Sequence, residues 1–223
     1  MSHTPPLSTT ALILAGGRGA RMGGVDKGLQ PFNGIPLVQH TLHRLQAQHG
    51  AAPSQVVVNA NRNASSYEDL QIPVWPDAVP GAFEGPLAGF LTGLQRSNSP
   101  YLLTVPCDTP LFPLDLLPRL LHALQAGQAD IAVASALEVD NTGALRVRPQ
   151  PVFCLMRADA AAHLAASLET FMHSGGRKID AWTARHRTVH VAFNLPGDDP
   201  RAFSNANTLA ELQLLETQAT KIP

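Results

Sequence analysis

Between the apolar run at residues 12–15 and Gly28, the chain carries Gly16, Gly17, Gly19, Gly23 and Gly24, with Arg21 and the pair Asp26–Lys27 among them. Glycines at this density let backbone N–H groups approach an anion, because no Cβ stands in the way. Arg21 adds a planar fork suited to phosphate oxygens, and Lys27 a compact charge on a long stem. Together they suit a triphosphate better than a single phosphate. Two familiar phosphate loops are excluded by spacing. A Walker A loop needs Gly-Lys followed by Ser or Thr, whereas Lys27 follows Asp26 and precedes Gly28. A dinucleotide fingerprint counted from Gly17 and Gly19 ends on Met22 rather than glycine.

Asp108 is the first candidate for metal chemistry. It follows an apolar run in Val-Pro-Cys-Asp-Thr-Pro, where prolines on both sides restrain the backbone. Mg²⁺ bound to a triphosphate is held by one or two carboxylates plus phosphate oxygens and water. The competing reading is a turn aspartate ahead of the next helix. Asn59 and Asp77 also follow apolar runs. A carboxylate there could accept from the adjacent N1–H and N2–H of guanine, and an amide could donate or accept. Both residue types are equally ordinary as turn formers. Cys107 has no histidine partner in the sequence pattern and reads as a small buried filler. His40 and His43 lie one helical turn apart without a third ligand, which reads as a packed or solvated helix face.

These residues need a scaffold that gathers them. Short apolar runs at residues 11–15, 55–59, 72–75, 101–105 and 130–135 read as strands. Amphipathic stretches at 36–48, 86–95 and 113–125, each opening on proline, read as helices. This alternation predicts an α/β fold, a Rossmann-like three-layer sandwich around a mostly parallel central sheet. Ligands in such sheets sit beyond the carboxyl ends of the strands, which is where the glycine loop, Asn59, Asp77 and Asp108 all fall. Beyond residue 140 the pattern changes. Strands are expected at 144–148, 151–156 and 188–192, with helices near 158–172 and 179–185. A last helix opens at Thr208, where Thr208 and Glu211 have the spacing of a capping box. The organisation expected is a loose tail over residues 1–9 and a single domain over 10–223. Residues 10–140 form its nucleotide-binding half and residues 141–223 the wall for a second substrate.

Sixteen basic against seventeen acidic residues give a net charge of −1, so no global field draws the protein to nucleic acid or membrane. The two cysteines, Cys107 and Cys154, form neither a zinc motif nor a disulfide framework, which fits a reducing, cytoplasmic setting.

The motifs Leu-Ala-Gly-Gly-x-x-x-Arg-Met-Gly-Gly-x-Asp-Lys-Gly-Leu, Val-Val-Val-Asn-Ala-Asn-Arg, Gly-Pro-Leu-Ala-Gly, Pro-Cys-Asp-Thr-Pro and Phe-x-Asn-x-Asn-Thr occur in this order along nearly the whole chain. In this the chain resembles the molybdenum cofactor guanylyltransferases, members of the wider Rossmann-like nucleotidyltransferase group. The resemblance implies transfer of GMP from GTP to Mo-molybdopterin, with release of pyrophosphate. It implies Leu14, Ala15, Gly16 and Gly17 against the nucleotide, and Arg21 and Lys27 on the phosphates. Asn59 and Asp77 fall at the guanosine end, with Asp108 on both GTP and Mg²⁺. Gly85, Asn205 and Asn207 are implied near the pterin. Mg²⁺ is the implied cofactor, and molybdoenzymes or their chaperones the implied partners of an expected monomer. The chain departs from the family pattern at Gln150-Pro151-Val152, where His-Pro-Thr is frequent, and at Leu209, where proline is usual. Rival readings are a molybdopterin cytidylyltransferase, a sugar- or polyol-phosphate nucleotidyltransferase, or a non-catalytic nucleotide-binding partner of molybdoenzymes.

Overall fold

Alternating side chains on the central strands decide the layering. The computed structural model describes residues 8–15, 25–50, 52–77, 85–139, 142–157, 161–206 and 208–219. Strand β1 (Thr9–Leu14) sends Ala11 and Ile13 to one face and Leu12 to the other. The first face packs on helices α1 (Leu37–Gln46), α2 (Ala64–Glu68) and α4 (Leu116–Ala126) through Leu45, Tyr67 and Leu120. The second packs on α3 (Pro86–Arg96), α5 (Ala161–His173) and α6 (Ile179–Thr183) through Phe90, Leu168 and Trp182. With an apolar core on each face, the sheet is buried between helices and the molecule has the expected three layers.

The remaining strands of the seven-stranded sheet are β4 (Gln55–Asn59), β5 (Val74–Trp75), β6 (Tyr101–Pro106), β7 (Ile131–Val139), β8 (Leu145–Arg157) and β9 (Thr188–Phe193). Their order is β5-β4-β1-β6-β8-β7-β9. Strands β5, β4, β1 and β6 run parallel, β8 is antiparallel to both neighbours, and β7 and β9 pair in parallel. The first and last thirds of the chain thus meet in one sheet.

Three elements differ from the sequence reading. The two strands expected at 144–148 and 151–156 are the single strand β8. Pro151 suggests a break because it cannot donate to a ladder. The structure absorbs it in a bulge, where β7 steps from pairing Cys154 at Val133 to pairing Gln150 at Ala134. The Thr104 hydroxyl donates to the Val152 carbonyl there, at 2.7 Å. Residues 113–115 precede α4 rather than opening it, and Gln48 caps the helix from outside. Its Oε1 accepts the Leu117 N–H at 2.8 Å while its amide donates to the Pro113 carbonyl at 2.9 Å. Ser8 and Thr9, assigned above to the tail, are already tied in. Thr9 is buried in β1, and the Ser8 hydroxyl lies 2.7 Å from that of Ser54.

A hairpin and a helix went unread. Strands β2 (Pro31–Phe32) and β3 (Ile35–Pro36) form a small hairpin turning at Asn33-Gly34, both with positive φ. Asn-Gly is the sequence signal for such a turn. Helix α2 was the other, too short to show periodicity. The capping box formed as expected at the start of α7 (Leu209–Ala219). The Glu211 N–H donates to Thr208 Oγ1 at 3.1 Å, and the Thr208 N–H to Glu211 Oε2 at 3.2 Å.

Candidate active site

Four strands end side by side, and their last residues are register partners: Trp75 beside Asn59, Asn59 beside Leu14, and Leu14 beside Pro106. Asp77 lies two residues past β5 and Asp108 two past β6, so the two carboxylates flank a line of three strand spacings, about 14 Å. Main-chain bonds lock the line just beyond the strands. The Ala15 N–H donates to the Asn59 carbonyl at 2.9 Å, and the Cys107 N–H to the Leu14 carbonyl at 3.2 Å. This is the carboxyl edge where ligands of open α/β sheets bind.

At one end of the line, Lys27 Nζ meets Asp108 Oδ2 at 3.0 Å, with both side chains about one-fifth exposed. Asp108 is not a helix cap, since α4 begins at Leu116 with Asp115 ahead of it. Among the described residues, its other oxygen has one contact, the Thr109 hydroxyl at 3.5 Å. Its carbonyl accepts the Ala206 N–H at 2.9 Å, which brings the segment carrying Asn205 beside it. Cys107, adjacent, is buried, and that burial pushes its thiol well above the ordinary range. It is a packed side chain, not a nucleophile.

Lys27 is held in place by its neighbour. Asp26, 8% exposed, accepts the Tyr67 hydroxyl at 2.6 Å and the Gly28 N–H at 3.1 Å on Oδ1, and the Asn63 amide at 3.1 Å on Oδ2. These bonds fix the short 3-10 turn Lys27–Leu29. A Cβ on Gly28 would sit 2.6 Å from the Tyr67 hydroxyl, so the close approach needs glycine. Asp26 was visible in the loop motif. Its partner Tyr67 was not, because it lies on the unread helix α2.

At the other end, Asn59 Nδ2 donates to Asp77 Oδ1 at 2.8 Å and to the Trp75 carbonyl at 2.9 Å. Asn61, missed as a site residue, donates to Asp77 Oδ2 at 2.6 Å and accepts the Asp77 N–H at 2.8 Å. Between the two ends, Gly89 on α3 packs so closely that a Cβ would lie 2.5 Å from both Asn59 Oδ1 and Leu14 Cδ2. Gly85, at positive φ, opens α3. Gly16, Gly17, Arg21 and Asn207 lie outside the described residues.

On α1, His40 is half-buried and His43 is exposed. The His40 ring bonds the Phe32 carbonyl through Nε2 and packs edge-on against the Phe32 ring, with centroids 5.0 Å apart. Among the described residues, no three His, Cys, Asp or Glu side chains converge on a metal position.

A family model described as a MobA-like NTP transferase domain matches residues 11–189. The chain belongs to this family. The matched span holds Lys27, Asp77, Asp108 and the carboxyl ends of the four aligned strands. Among its relatives, a molybdenum cofactor guanylyltransferase of Albidiferax ferrireducens is 58% identical over 212 residues, covering 95% of this chain and 97% of that one. One of the same name from Acidovorax ebreus is 60% identical over 208 residues, covering 93% and 94%. The fold is similar to the crystal structure of molybdopterin-guanine dinucleotide biosynthesis protein A from Archaeoglobus fulgidus (TM-score 0.70, 21% identity, 96% of this chain and 100% of that one). It is equally similar to a 4-diphosphocytidyl-2C-methyl-D-erythritol synthase from Anaerococcus prevotii (TM-score 0.70, 12% identity, 96% of each chain). The fold is therefore shared by proteins whose names carry different bases.

Proposed function

We propose that this MobA-like NTP transferase is a molybdenum cofactor guanylyltransferase. It transfers GMP from GTP to the terminal phosphate of Mo-molybdopterin, releasing pyrophosphate and forming the guanine dinucleotide. The observation that carries the chemistry is the Lys27–Asp108 pair, a cation from the 3-10 turn meeting a carboxylate just beyond the carboxyl end of β6. The acceptor and base are supported by relatives at 58% and 60% identity that bear this name over nearly their full lengths.

The residues fit a magnesium ion. Asp108 offers a part-exposed carboxylate whose Oδ1, among the described residues, has only a long hydroxyl contact. Such a site suits a cation held by one carboxylate, substrate phosphates and water, not by a protein cage. Asp108 would hold Mg²⁺, which when bound neutralises charge on the nucleotide's phosphate oxygens.

The attacking phosphate and the α-phosphate of GTP are both anions, so catalysis is mainly positioning and charge neutralisation. Lys27, held at Asp108 before substrate arrives, places its ammonium where the departing pyrophosphate gathers charge. Arg21 and the amides of Gly16 and Gly17 add donors to the same phosphates. Leu14 and Ala15 line the floor between the ends of the site, and Asn59 and Asp77 meet guanosine. Gly85, Asn205 and Asn207 face the pterin, so residues 141–223 supply the second wall of a single catalytic domain. The attacking phosphate oxygen is already ionised near neutral pH, so no protein base is required.

The enzyme acts as a cytoplasmic monomer and passes its product to molybdoenzymes or their chaperones. Two buried free cysteines support the reducing setting, and no described helix is long and apolar enough to cross a membrane. The test is pyrophosphate release from GTP and Mg²⁺ with and without Mo-molybdopterin. Release that depends on the pterin is expected. Release unaffected by it would overturn the assignment.

A further inference from the structure

We propose that Asn61 is a positioning residue for base selection, setting the plane of the Asp77 carboxylate so that its two oxygens meet two adjacent N–H donors on a purine edge. The inference rests on the reading that Asp77 faces the base.

The terminal torsion of an aspartate is broad, so an unrestrained carboxylate presents its oxygens in many orientations. Here that freedom is removed from both sides. Asn59 donates to Oδ1 and Asn61 to Oδ2, at 2.8 and 2.6 Å. Asn61 also accepts the Asp77 N–H at 2.8 Å, so one carboxamide fixes both the backbone and the carboxylate of the same residue. Each carboxylate oxygen has two lone pairs, and one amide bond leaves each an acceptor position for ligand.

The two asparagines are not equivalent. Both hydrogens of Asn59 are committed, to the Trp75 carbonyl and to Asp77, and its Oδ1 lies 2.5 Å from where a Cβ on Gly89 would sit. Asn59 is buried and anchors Asp77 to the sheet. Asn61 is half-buried on the loop after β4, less enclosed than Asn59. A carboxylate with both oxygens accepting rewards N1–H beside N2–H, as in guanine. Inosine offers only the first of these donors, and cytosine and adenine offer an acceptor in place of N1–H.

The experiment compares kcat and KM for GTP and ITP at saturating Mo-molybdopterin in the wild-type enzyme, Asn61→Ala, Asn61→Asp and Asp77→Asn. Asn61→Asp preserves size and keeps an acceptor for the Asp77 N–H, but it replaces the donor to Oδ2 with an oxygen and adds a like charge beside the Asp77 carboxylate. For both Asn61 variants, KM for GTP is expected to rise about tenfold with kcat near wild type, and the preference for GTP over ITP to fall about tenfold. Asp77→Asn is expected to lower that preference at least as far. If Asp77→Asn lowers the preference and neither Asn61 variant does, the proposal fails and the base reading stands. If Asp77→Asn also leaves it unchanged, both fail. Equal losses for GTP and ITP in the Asn61 variants would mark a merely structural role and overturn the proposal, and Asn61→Asp supplies the readout should Asn61→Ala not fold.

Discussion

At the residue scale, the site is made of side chains whose positions are fixed by other side chains before any substrate arrives. Lys27 is aimed by the bonds Asp26 makes to Tyr67, Gly28 and Asn63, and it meets Asp108 at 3.0 Å. Asp108→Ala is expected to cut pyrophosphate release at least about 100-fold, with an unchanged melting temperature. A rate within twofold of wild type would remove Asp108 from the site. Tyr67→Phe tests the support behind Lys27. The variant withdraws a buried donor from Asp26, which is expected to cost about 1–2 kcal/mol of stability and to raise the KM for GTP. Urea unfolding together with steady-state kinetics reads both. An unchanged KM beside the stability loss would confine Tyr67 to the core.

At the element scale, the site depends on parallel strands ending in register and on α3 lying very close to two of them. Gly89→Ala places a methyl 2.5 Å from Leu14 Cδ2 and from Asn59 Oδ1, so either α3 or these two side chains must give way. A loss of about 1–3 kcal/mol is expected from such overpacking, with weaker GTP binding by calorimetry, and wild-type stability would contradict the packing. These elements differ in how far sequence revealed them. The parallel strands were readable because each is a short apolar run followed by a turn, and Asn59, Asp77 and Asp108 could be placed at their ends by position alone. The continuity of β8 was hidden by Pro151, whose missing N–H is accommodated in a bulge that only the pairing with β7 reveals. Tyr67 and Asn61 were hidden for another reason. Their importance lies in bonds to Asp26 and Asp77, contacts between segments that no local pattern encodes.

At the scale of the whole molecule, two apolar cores clamp one sheet, and a smaller cluster of Phe32, Leu37, Ala206, Leu212 and Leu215 ties α7 to the β2–β3 hairpin. The late segment thereby docks near Asp108, where Ala206 bonds the Asp108 carbonyl. Global stability should respond to pH through two histidines. Burial lowers the pKa of His40 and of His186 below the ordinary 6.5, and neighbouring His43 and His163 add to this. Below that value the unfolded chain takes up protons that the folded chain resists, so their contribution is complete above pH 6.5 and is lost as pH falls. The melting temperature is expected to drop between about pH 7 and about pH 5, and to drop less in the His40→Gln/His186→Gln variant. An equal drop in both proteins would contradict it.

The same fold is found in solved structures named for guanine and for cytosine nucleotides, so base choice is the point on which the account turns. The most direct measurement supplies GTP and CTP together at equal concentration with Mo-molybdopterin and Mg²⁺, and identifies the dinucleotide formed by mass. The guanine dinucleotide is predicted to dominate, and a cytosine dinucleotide as the main product would contradict the account.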